Sequence, residues 1–193
     1  MNARQALLLS LVLALSAAGL PANEFPGKKT SWKGFDAFQF KHDGAACRIV
    51  LPKKAAPGKP WIWRARFWGH EPQTDLALLA KGWSVAYCDV GNLFGSPKAV
   101  QRWNAFHAYL VEKRGYSPKP ALEGMSRGGL IIYNWAKANP NRVRAIYADA
   151  PVCDFTSWPG GKDSGKGSPG AWKACLAAYG LTEKEALRYE NQA

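Results

Sequence analysis

Five residues near the middle of the chain, Gly124-Met125-Ser126-Arg127-Gly128, have the spacing G-x-S-x-G. In this pattern a short strand turns abruptly into a helix, and the turn holds a serine hydroxyl above a sheet. The spacing has a steric cause, because a β-carbon at either flanking glycine would collide with the neighbouring strand or helix. The pattern predicts a serine nucleophile at Ser126, and the alternative is a plain strand-to-helix turn.

The residues around this pattern suit the turn that it requires. Ala121-Leu122 leads in as a short strand, and a helix is predicted over residues 130–138. A serine hydroxyl is a poor nucleophile until a base takes its proton, and donors must hold the charge that develops on the attacked carbonyl. The turn itself supplies one such donor, the backbone N–H of Arg127.

Apolar alternation and turn residues divide the rest of the chain into strands and helices. Further strands are predicted over residues 35–40, 46–51, 61–65, 83–88 and 143–148, and helices over residues 75–81, 97–113, 171–179 and 183–189. Residues 24–33 are interpreted as a polar connector. Because strands and helices alternate after a leading antiparallel pair, we expect an α/β fold with a mostly parallel sheet and helices on both faces.

On these features the chain resembles the α/β-hydrolase superfamily, in particular secreted bacterial hydrolases near the prolyl-oligopeptidase and dienelactone-hydrolase branches. The resemblance covers roughly residues 32–190, as an N-terminal portion of that fold. It implies antiparallel strands at the N-terminal edge of the sheet and a serine after the fifth strand, where the predicted strands place Ser126. It also implies that the last strands of the fold are missing from this chain.

The resemblance further implies where a second oxyanion donor lies. In that fold it comes from the loop after the third strand, which here contains Arg66 and Phe67. The backbone N–H of one of these two residues would act together with that of Arg127.

A base for Ser126 is the difficulty in this interpretation. The superfamily order is serine, then acid, then histidine, yet His42, His70 and His107 all precede Ser126. The simplest explanation is a chain truncated at its C-terminus, which would be inactive as it stands, and an unusual triad is the alternative. His70 is the candidate base within the chain, against a substrate-binding or structural role. His107 is expected to be packed in a helix, and His42 to be solvated.

Two carboxylates, Asp149 and Asp154, follow the strand after the elbow helix and are candidates for the acid. Their alternative roles are turn formation and capping. Trp68 and Trp158 are candidate stacking surfaces for a sugar ring, although tryptophans in strands are more often part of the core.

No cofactor is expected. The glycine-rich run over residues 160–167 has Gly167 where a phosphate-binding loop needs serine or threonine, and no strand leads into it. The cysteines do not have the spacing of a zinc site, so no metal is expected.

Four cysteines, Cys47, Cys88, Cys153 and Cys175, leave three disulfide pairings open from the sequence alone. The resemblance implies that the second and fourth strands are antiparallel neighbours, which would place Cys47 opposite Cys88 and leave Cys153 to pair with Cys175. Four buried free thiols are the alternative.

The 193 residues carry a formal net charge of +12, and this length suits one domain. The basic residues form no dense run, so they indicate a solvated basic surface or attraction to an acidic polysaccharide. No motif supports nucleic-acid binding. Residues 1–22 are interpreted as a secretory signal peptide, because an apolar run follows Arg4 and small residues end it. Residues 23–193 would then form a secreted or periplasmic domain without stable membrane insertion.

These observations together predict a secreted serine hydrolase that forms an acyl-enzyme on Ser126. Its expected substrate is a carboxylic ester, either small or linked to a carbohydrate or polysaccharide. A prolyl-oligopeptidase-like serine peptidase is the nearest alternative enzyme. The alternative of a different class is a non-catalytic carbohydrate-binding or remnant protein, suggested by the missing histidine.

Overall fold

The structure, a computed structural model, describes residues 25–162 and 165–189. In these residues the sheet consists of seven strands, β1 (Lys28–Trp32), β2 (Phe35–His42), β3 (Ala45–Val50), β4 (Trp61–Arg64), β5 (Ser84–Cys88), β6 (Ala121–Met125) and β7 (Ala145–Asp149). They also form the α-helices α1 (Gln73–Ala80), α2 (Pro97–Ala108), α3 (Gly129–Ala138), α4 (Pro169–Tyr179) and α5 (Glu183–Ala186). The predicted signal peptide lies outside the described residues.

The strand order is β1-β2-β3-β5-β4-β6-β7. β1, β2, β3 and β5 pair antiparallel in turn, whereas β5, β4, β6 and β7 pair parallel. The fold class is therefore the expected one, a mixed sheet that is parallel around β4 and β6, with antiparallel strands at the N-terminal edge.

β1 corrects the interpretation of residues 24–33 as a connector. All five of its residues pair with β2, although their side chains are exposed or only half-buried. An edge strand of this kind needs backbone partners on one side only, so its side chains can be polar and show no apolar alternation. Ser126 consequently follows the sixth strand of the described chain, which is the fifth counted from β2.

Helices cover both faces of the sheet. α2 and α3 pack on one face, where Trp63 of β4 stacks on Trp103 of α2 with ring centroids 3.9 Å apart and planes 15° from parallel. α1 covers the other face through Leu79, which packs against Ile62 and Val85. The alternation of Trp63 and Ile62 along β4 follows from the pleat, which sends successive side chains to opposite faces.

The strand predicted over residues 143–148 is present as β7, but it is exposed, whereas its apolar run is typical of a buried strand. It pairs with β6 alone, and Ile146 and Tyr147 are 39% and 48% exposed. An apolar run predicts the strand but cannot show whether a further layer covers it, because coverage depends on residues distant in the sequence.

Helix ends also differ from the expectations in places. The helix predicted over residues 97–113 is present, but its last turn, Tyr109–Lys113, is a π-helix. The helix predicted over residues 183–189 is shorter than expected, since α5 ends at Ala186, and Thr182 caps its N-terminus in a capping box with Glu185.

The predicted register of two cysteines is observed, but the disulfides are not. Cys47 of β3 lies directly opposite Cys88 of β5, yet all four cysteines are free. A hydrogen bond with Cys47 and burial both raise the pKa of the Cys88 thiol well above its usual value. Cys153 is exposed while Cys175 is buried in the cluster below α4, so these two thiols have different surroundings.

Within residues 25–162 and 165–189, no helix combines the length and apolar content that a bilayer span requires.

The stacking of Trp63 on Trp103 allows a test of the hydrophobic core by mutation. Trp103 is fully buried, so Trp103→Ala is expected to lower the free energy of unfolding by about 3–5 kcal/mol, measured by urea unfolding and circular dichroism. The half-buried Trp32 provides the control, for which Trp32→Ala should cost about 1 kcal/mol. Equal losses in the two variants would contradict the assignment of Trp103 to the core.

Candidate active site

Ser126 occupies the sharp bend that the sequence predicts. β6 ends at Met125, Ser126 has a φ of 49°, and a short 3₁₀ turn over Ser126–Gly128 leads directly into α3. A positive φ is strained for a residue with a β-carbon, and such strain collects at functional sites. The bend is fixed from behind, because the carbonyl of Ser126 accepts the N–H of Val152 at 2.8 Å. The side chain of Ser126 is half-buried.

The steric reason for glycine holds at one flanking position and not at the other. A β-carbon on Gly124 would lie 2.5 Å from Ile132 Cδ1 and 3.0 Å from the carbonyl oxygen of Gly128. On Gly128 it would find only ordinary contacts, at 3.5 Å from the β-carbons of Ala65 and Arg66, so the expected collision is absent there. Sequence reasoning missed Gly129, where a β-carbon would lie 2.4 Å from the carbonyl oxygen of Val152.

The loop after β4 lies against this bend, as the oxyanion prediction requires. The position that a β-carbon would take on Gly128 is 3.9 Å from the backbone nitrogen of Arg66. The N–H groups of Arg66 and Phe67 donate to no acceptor in the described part of the chain. Unpaired amides beside a serine are what a developing oxyanion needs, and their assignment to that role stays a prediction.

One guanidinium holds this loop in place. Arg64, at the end of β4, is 2% exposed, and its Nη1 donates to Asp75 Oδ2 at 2.5 Å and to Glu123 Oε1 at 2.8 Å. Its Nε donates to the carbonyl of Phe67 at 3.2 Å, and its Nη2 donates to the carbonyl of His70. Arg64 therefore connects α1, β6 and the loop that carries the candidate oxyanion donors.

The two carboxylates of this cluster share one cation. Asp75 Oδ1 and Glu123 Oε2 are buried and have no hydrogen-bond partner in the described part. Burial, followed by the neighbouring Asp75 carboxylate, raises the pKa of Glu123 to about 8, although Arg64 acts in the opposite direction. Two ionised carboxylates beside one guanidinium would leave an excess negative charge, so this shift favours the protonated form of Glu123.

Sequence reasoning did not identify Asp75 or Glu123, and it counted Arg64 only among the scattered basic residues. The three lie far apart in the chain and match no motif. Asp75 and Glu123 face Arg64 only because α1 and β6 are its neighbours in the folded sheet.

The histidines are not brought to Ser126. The side chain of His70 is exposed, and no hydrogen bond joins it to Ser126 in the described residues. His107 is packed in α2 as predicted, with Nε2 2.9 Å from the carbonyl oxygen of Pro118, and burial lowers its pKa.

His42 corrects the expectation of a solvated side chain. Its ring lies 4.7 Å from that of Tyr109 and 5.9 Å from that of Phe106. The edge of the sheet at the end of β2 is covered by α2 and its π turn, so His42 packs on their aromatic side chains.

The two candidate acids have different surroundings. Asp149, at the end of β7, pairs in the sheet with Met125, the residue before Ser126. It lines a cavity of about 300 Å³ together with Glu71, Glu123 and Tyr147. Asp149 is therefore close to the bend, on its β7 side.

Asp154 instead stabilises the turn that follows it. Its Oδ1 accepts the N–H of Thr156 at 2.7 Å, and Oδ1 and Oδ2 both lie within 2.8 Å of the Thr156 hydroxyl. Ser157 Oγ donates to its carbonyl. This is the turn-forming role that the sequence left as the alternative.

The two tryptophans that are candidate stacking surfaces lie in different parts of the structure. The ring of Trp158 lies 5.4 Å from the Arg127 guanidinium carbon, so it borders the bend. Trp68 packs against Trp32 and Tyr87, at 5.4 and 5.7 Å between ring centroids. It belongs to the aromatic packing on the α1 face.

No group of three or more His, Cys, Asp or Glu side chains in the described residues has an arrangement that would hold a metal ion.

Comparison with known proteins gives structural likenesses only. No protein-family model matches the sequence, and no curated protein matches it either. A cold-adapted esterase from an Arctic intertidal metagenomic library, in a zinc-bound structure, aligns over 58% of this chain and 56% of its own, at 14% identity and a TM-score of 0.47. An acetyl xylan esterase from Aspergillus awamori aligns over 57% and 50%, at 14% identity and a TM-score of 0.48.

Candida antarctica lipase A aligns over 79% of this chain and 46% of its own, at 11% identity and a TM-score of 0.49. The chain thus spans less than two thirds of the length of each of these three proteins. Its own strand order and strand-to-helix bend agree with the mostly parallel α/β sheet expected from the sequence.

Because Asp75 and Glu123 share the Arg64 cation, the free energy of unfolding is expected to depend on pH. The folded-state pKa of Glu123 lies above its unfolded value, so the folded chain binds an extra proton between pH 4.5 and about 8, and its stability falls as the pH rises through that window. Glu123→Gln keeps an acceptor for Arg64 but cannot titrate. Between about pH 6 and pH 9 the unmodified chain should lose about 3 kcal/mol of unfolding free energy relative to Glu123→Gln, which is about two pH units at 1.4 kcal/mol each.

Urea unfolding across this pH range measures the effect. Glu112→Gln removes an exposed carboxylate and serves as the control. Its stability is expected to depend on pH in the same way as that of the unmodified chain. A Glu123→Gln variant with that same dependence would show that Glu123 does not carry the proton.

Proposed function

We propose that this chain is a serine hydrolase that cleaves carboxylic esters through a covalent acyl-enzyme on Ser126 Oγ. The observation that carries the proposal is the left-handed backbone of Ser126, with φ 49°, at the junction of β6 and α3. The left-handed backbone is strained for a residue with a β-carbon, and an ordinary side chain at this position would not require that strain. A nucleophilic serine does require the bend, because the bend holds its hydroxyl above the sheet. No hydrogen bond occupies Ser126 Oγ in the described residues.

The proposed reaction proceeds in two halves. Ser126 Oγ attacks the ester carbonyl carbon and loses its proton, and the carbonyl π electrons move onto the oxygen. The N–H of Arg127, with that of Arg66 or Phe67, holds this oxyanion. The intermediate then expels the alcohol, which takes up a proton, and leaves an acyl group on Ser126. Water attacks the acyl group in the same way, releasing the acid and restoring the hydroxyl.

In the described residues, no base forms a hydrogen bond with Ser126. Asp149 is the carboxylate at the end of the neighbouring strand, and it would orient an imidazole if one stood between it and Ser126. His70 is on the loop beside the bend and its ring is exposed, so it is the imidazole of this chain with freedom to approach.

A carbohydrate-linked ester is the substrate class we propose, with a small ester as the simpler member of the same class. Trp158 beside the bend offers an aromatic surface to a sugar ring. The net charge of +12 favours encounter with acidic polymers.

A non-catalytic carbohydrate-binding protein is the second candidate. It is favoured by a specific observation, since none of the three histidines forms a hydrogen bond with Ser126 in the described residues. In that case the bend at Ser126 would be an inherited feature of the fold, and Trp158 would act in binding alone.

We also propose that the protein is exported, with residues 1–22 as a cleaved signal peptide. Mass spectrometry of the protein expressed in a Gram-negative host should find a mature N-terminus after Ala18 or Ala22. A periplasmic or membrane fraction that retains Met1 would contradict this proposal.

The nucleophile can be tested directly. A fluorophosphonate probe is expected to label the full chain on Ser126, detected by peptide mass spectrometry, and Ser126→Ala should abolish the adduct because no other serine is placed in such a bend in the described residues. Ser31→Ala, at an exposed serine of β1, should leave labelling unchanged. A folded chain that forms no adduct would favour the binding protein over the hydrolase.

A further inference from the structure

Two guanidinium groups contact the same aromatic ring close to Ser126. Arg66 belongs to the loop after β4, and Arg127 follows the serine. The guanidinium carbons of both are 5.7 Å from the centroid of the Phe67 ring. A single aromatic ring therefore holds two cations beside the bend.

Neither guanidinium belongs to an ion pair within the part of the chain that the structure describes. The ion pairs of the described residues involve Lys29, Arg64 and Lys162, and include neither Arg66 nor Arg127. Burial and the neighbouring charge of Arg66 lower the pKa of Arg127. Two like charges near one another repel, and an anion bound to both would relieve that repulsion.

Each guanidinium is held in place by packing. A β-carbon on Gly91 would lie 1.5 Å from Arg66 Nη1 and 2.8 Å from its Cζ, so the Arg66 side chain lies on the backbone of Gly91. The Arg127 guanidinium carbon lies 5.4 Å from the centroid of the Trp158 ring. A pair fixed in this way loses little freedom when a ligand binds.

Asp89 is the carboxylate beside Arg66, because the β-carbon position on Gly91 also lies 3.2 Å from Asp89 Oδ1. This oxygen accepts the N–H of Gly91 at 2.9 Å and the Tyr87 hydroxyl at 3.2 Å, so its hydrogen bonds go to those groups and to neither guanidinium. Asp149 and Glu71 line the cavity on the β7 side of the bend, whereas Gly91, on which Arg66 packs, follows β5. In the sheet order β5-β4-β6-β7 these positions lie on opposite sides of Ser126.

We propose that Arg66 and Arg127 form an anion-binding subsite beside Ser126, so that the ester cleaved there carries a carboxylate or phosphate group close to the scissile bond. The planar guanidinium group matches both anions, because it can donate two parallel hydrogen bonds to either. The proposal rests on the proposed function for the identity of the reacting group, and it narrows the substrate class to acidic esters, such as those of uronate sugars.

Binding tests the subsite without any turnover. Nuclear magnetic resonance titration of the Ser126→Ala chain compares glucose, glucuronate and glucose 6-phosphate, which differ only at C6. Both anions should bind about tenfold more tightly than glucose, the typical gain from a charge-assisted hydrogen bond pair. Preference between glucuronate and glucose 6-phosphate identifies which anion the subsite takes. Equal affinities for all three sugars would overturn the proposal.

Variants separate the subsite from the overall charge of the protein. Arg127→Gln and Arg142→Gln remove the same charge, but Arg142 is exposed at a distant turn, so only Arg127→Gln should abolish the preference for anions. Gly91→Ala leaves the charge unchanged and displaces the Arg66 guanidinium, and it should weaken anion binding as Arg66→Gln does. An equal loss in Arg142→Gln and Arg127→Gln would show a general charge effect and contradict the subsite.

The rate of ester hydrolysis distinguishes a failure of the anion-subsite proposal from a failure of the proposed function. Nitrophenyl esters of butyrate and succinate differ in a terminal carboxylate, and the unmodified chain should favour the succinate ester in kcat/KM by about tenfold. Turnover of both esters at equal kcat/KM would leave the hydrolase standing and overturn the subsite. Anion preference in the titration without turnover of either ester would leave the subsite standing and overturn the hydrolase.

Discussion

The site depends on the buried guanidinium of Arg64. It donates to Asp75 of α1, to Glu123 of β6 and to two carbonyls of the loop after β4. Burying one cation with two carboxyl groups is expensive, and such clusters are weak evidence for stability. What this cluster does supply is position, because β4, β6, α1 and the loop converge on one planar group with fixed donor directions. Burial and the neighbouring Asp75 carboxylate raise the pKa of Glu123, which favours a cluster with one negative charge beside the one positive charge.

The strain at Ser126 is tolerated because the structure around it is rigid. Trp63 and Trp103 stack below the sheet, and Trp135 of α3 packs against Trp63, so the strand before the bend and the helix after it share one core. Gly124 and Gly129 let that helix and the segment at Val152 approach closely. A residue with positive φ persists only where its surroundings determine it in this way.

The charged groups around the bend come from several segments, because β4 and β6 lie between β5 and β7 in the sheet. Asp149 and Glu123 border the cavity on the β7 side. Arg66 packs on Gly91 after β5, where Asp89 also lies. The Arg127 guanidinium contacts the same Phe67 ring as Arg66. The electrostatic surroundings of Ser126 are therefore set by the order of the strands and not by its neighbours in the sequence.

The sequence by itself determined the features that depend on nearby residues. The bend at Ser126 and the alternation of strands and helices follow from spacings of a few residues, and both are observed. Only the tertiary structure decided the polar edge strand β1, the exposure of β7, the need for Gly129 and the pairing of Arg64 with Asp75 and Glu123. These features are contacts between distant segments, and no local periodicity encodes which segments become neighbours.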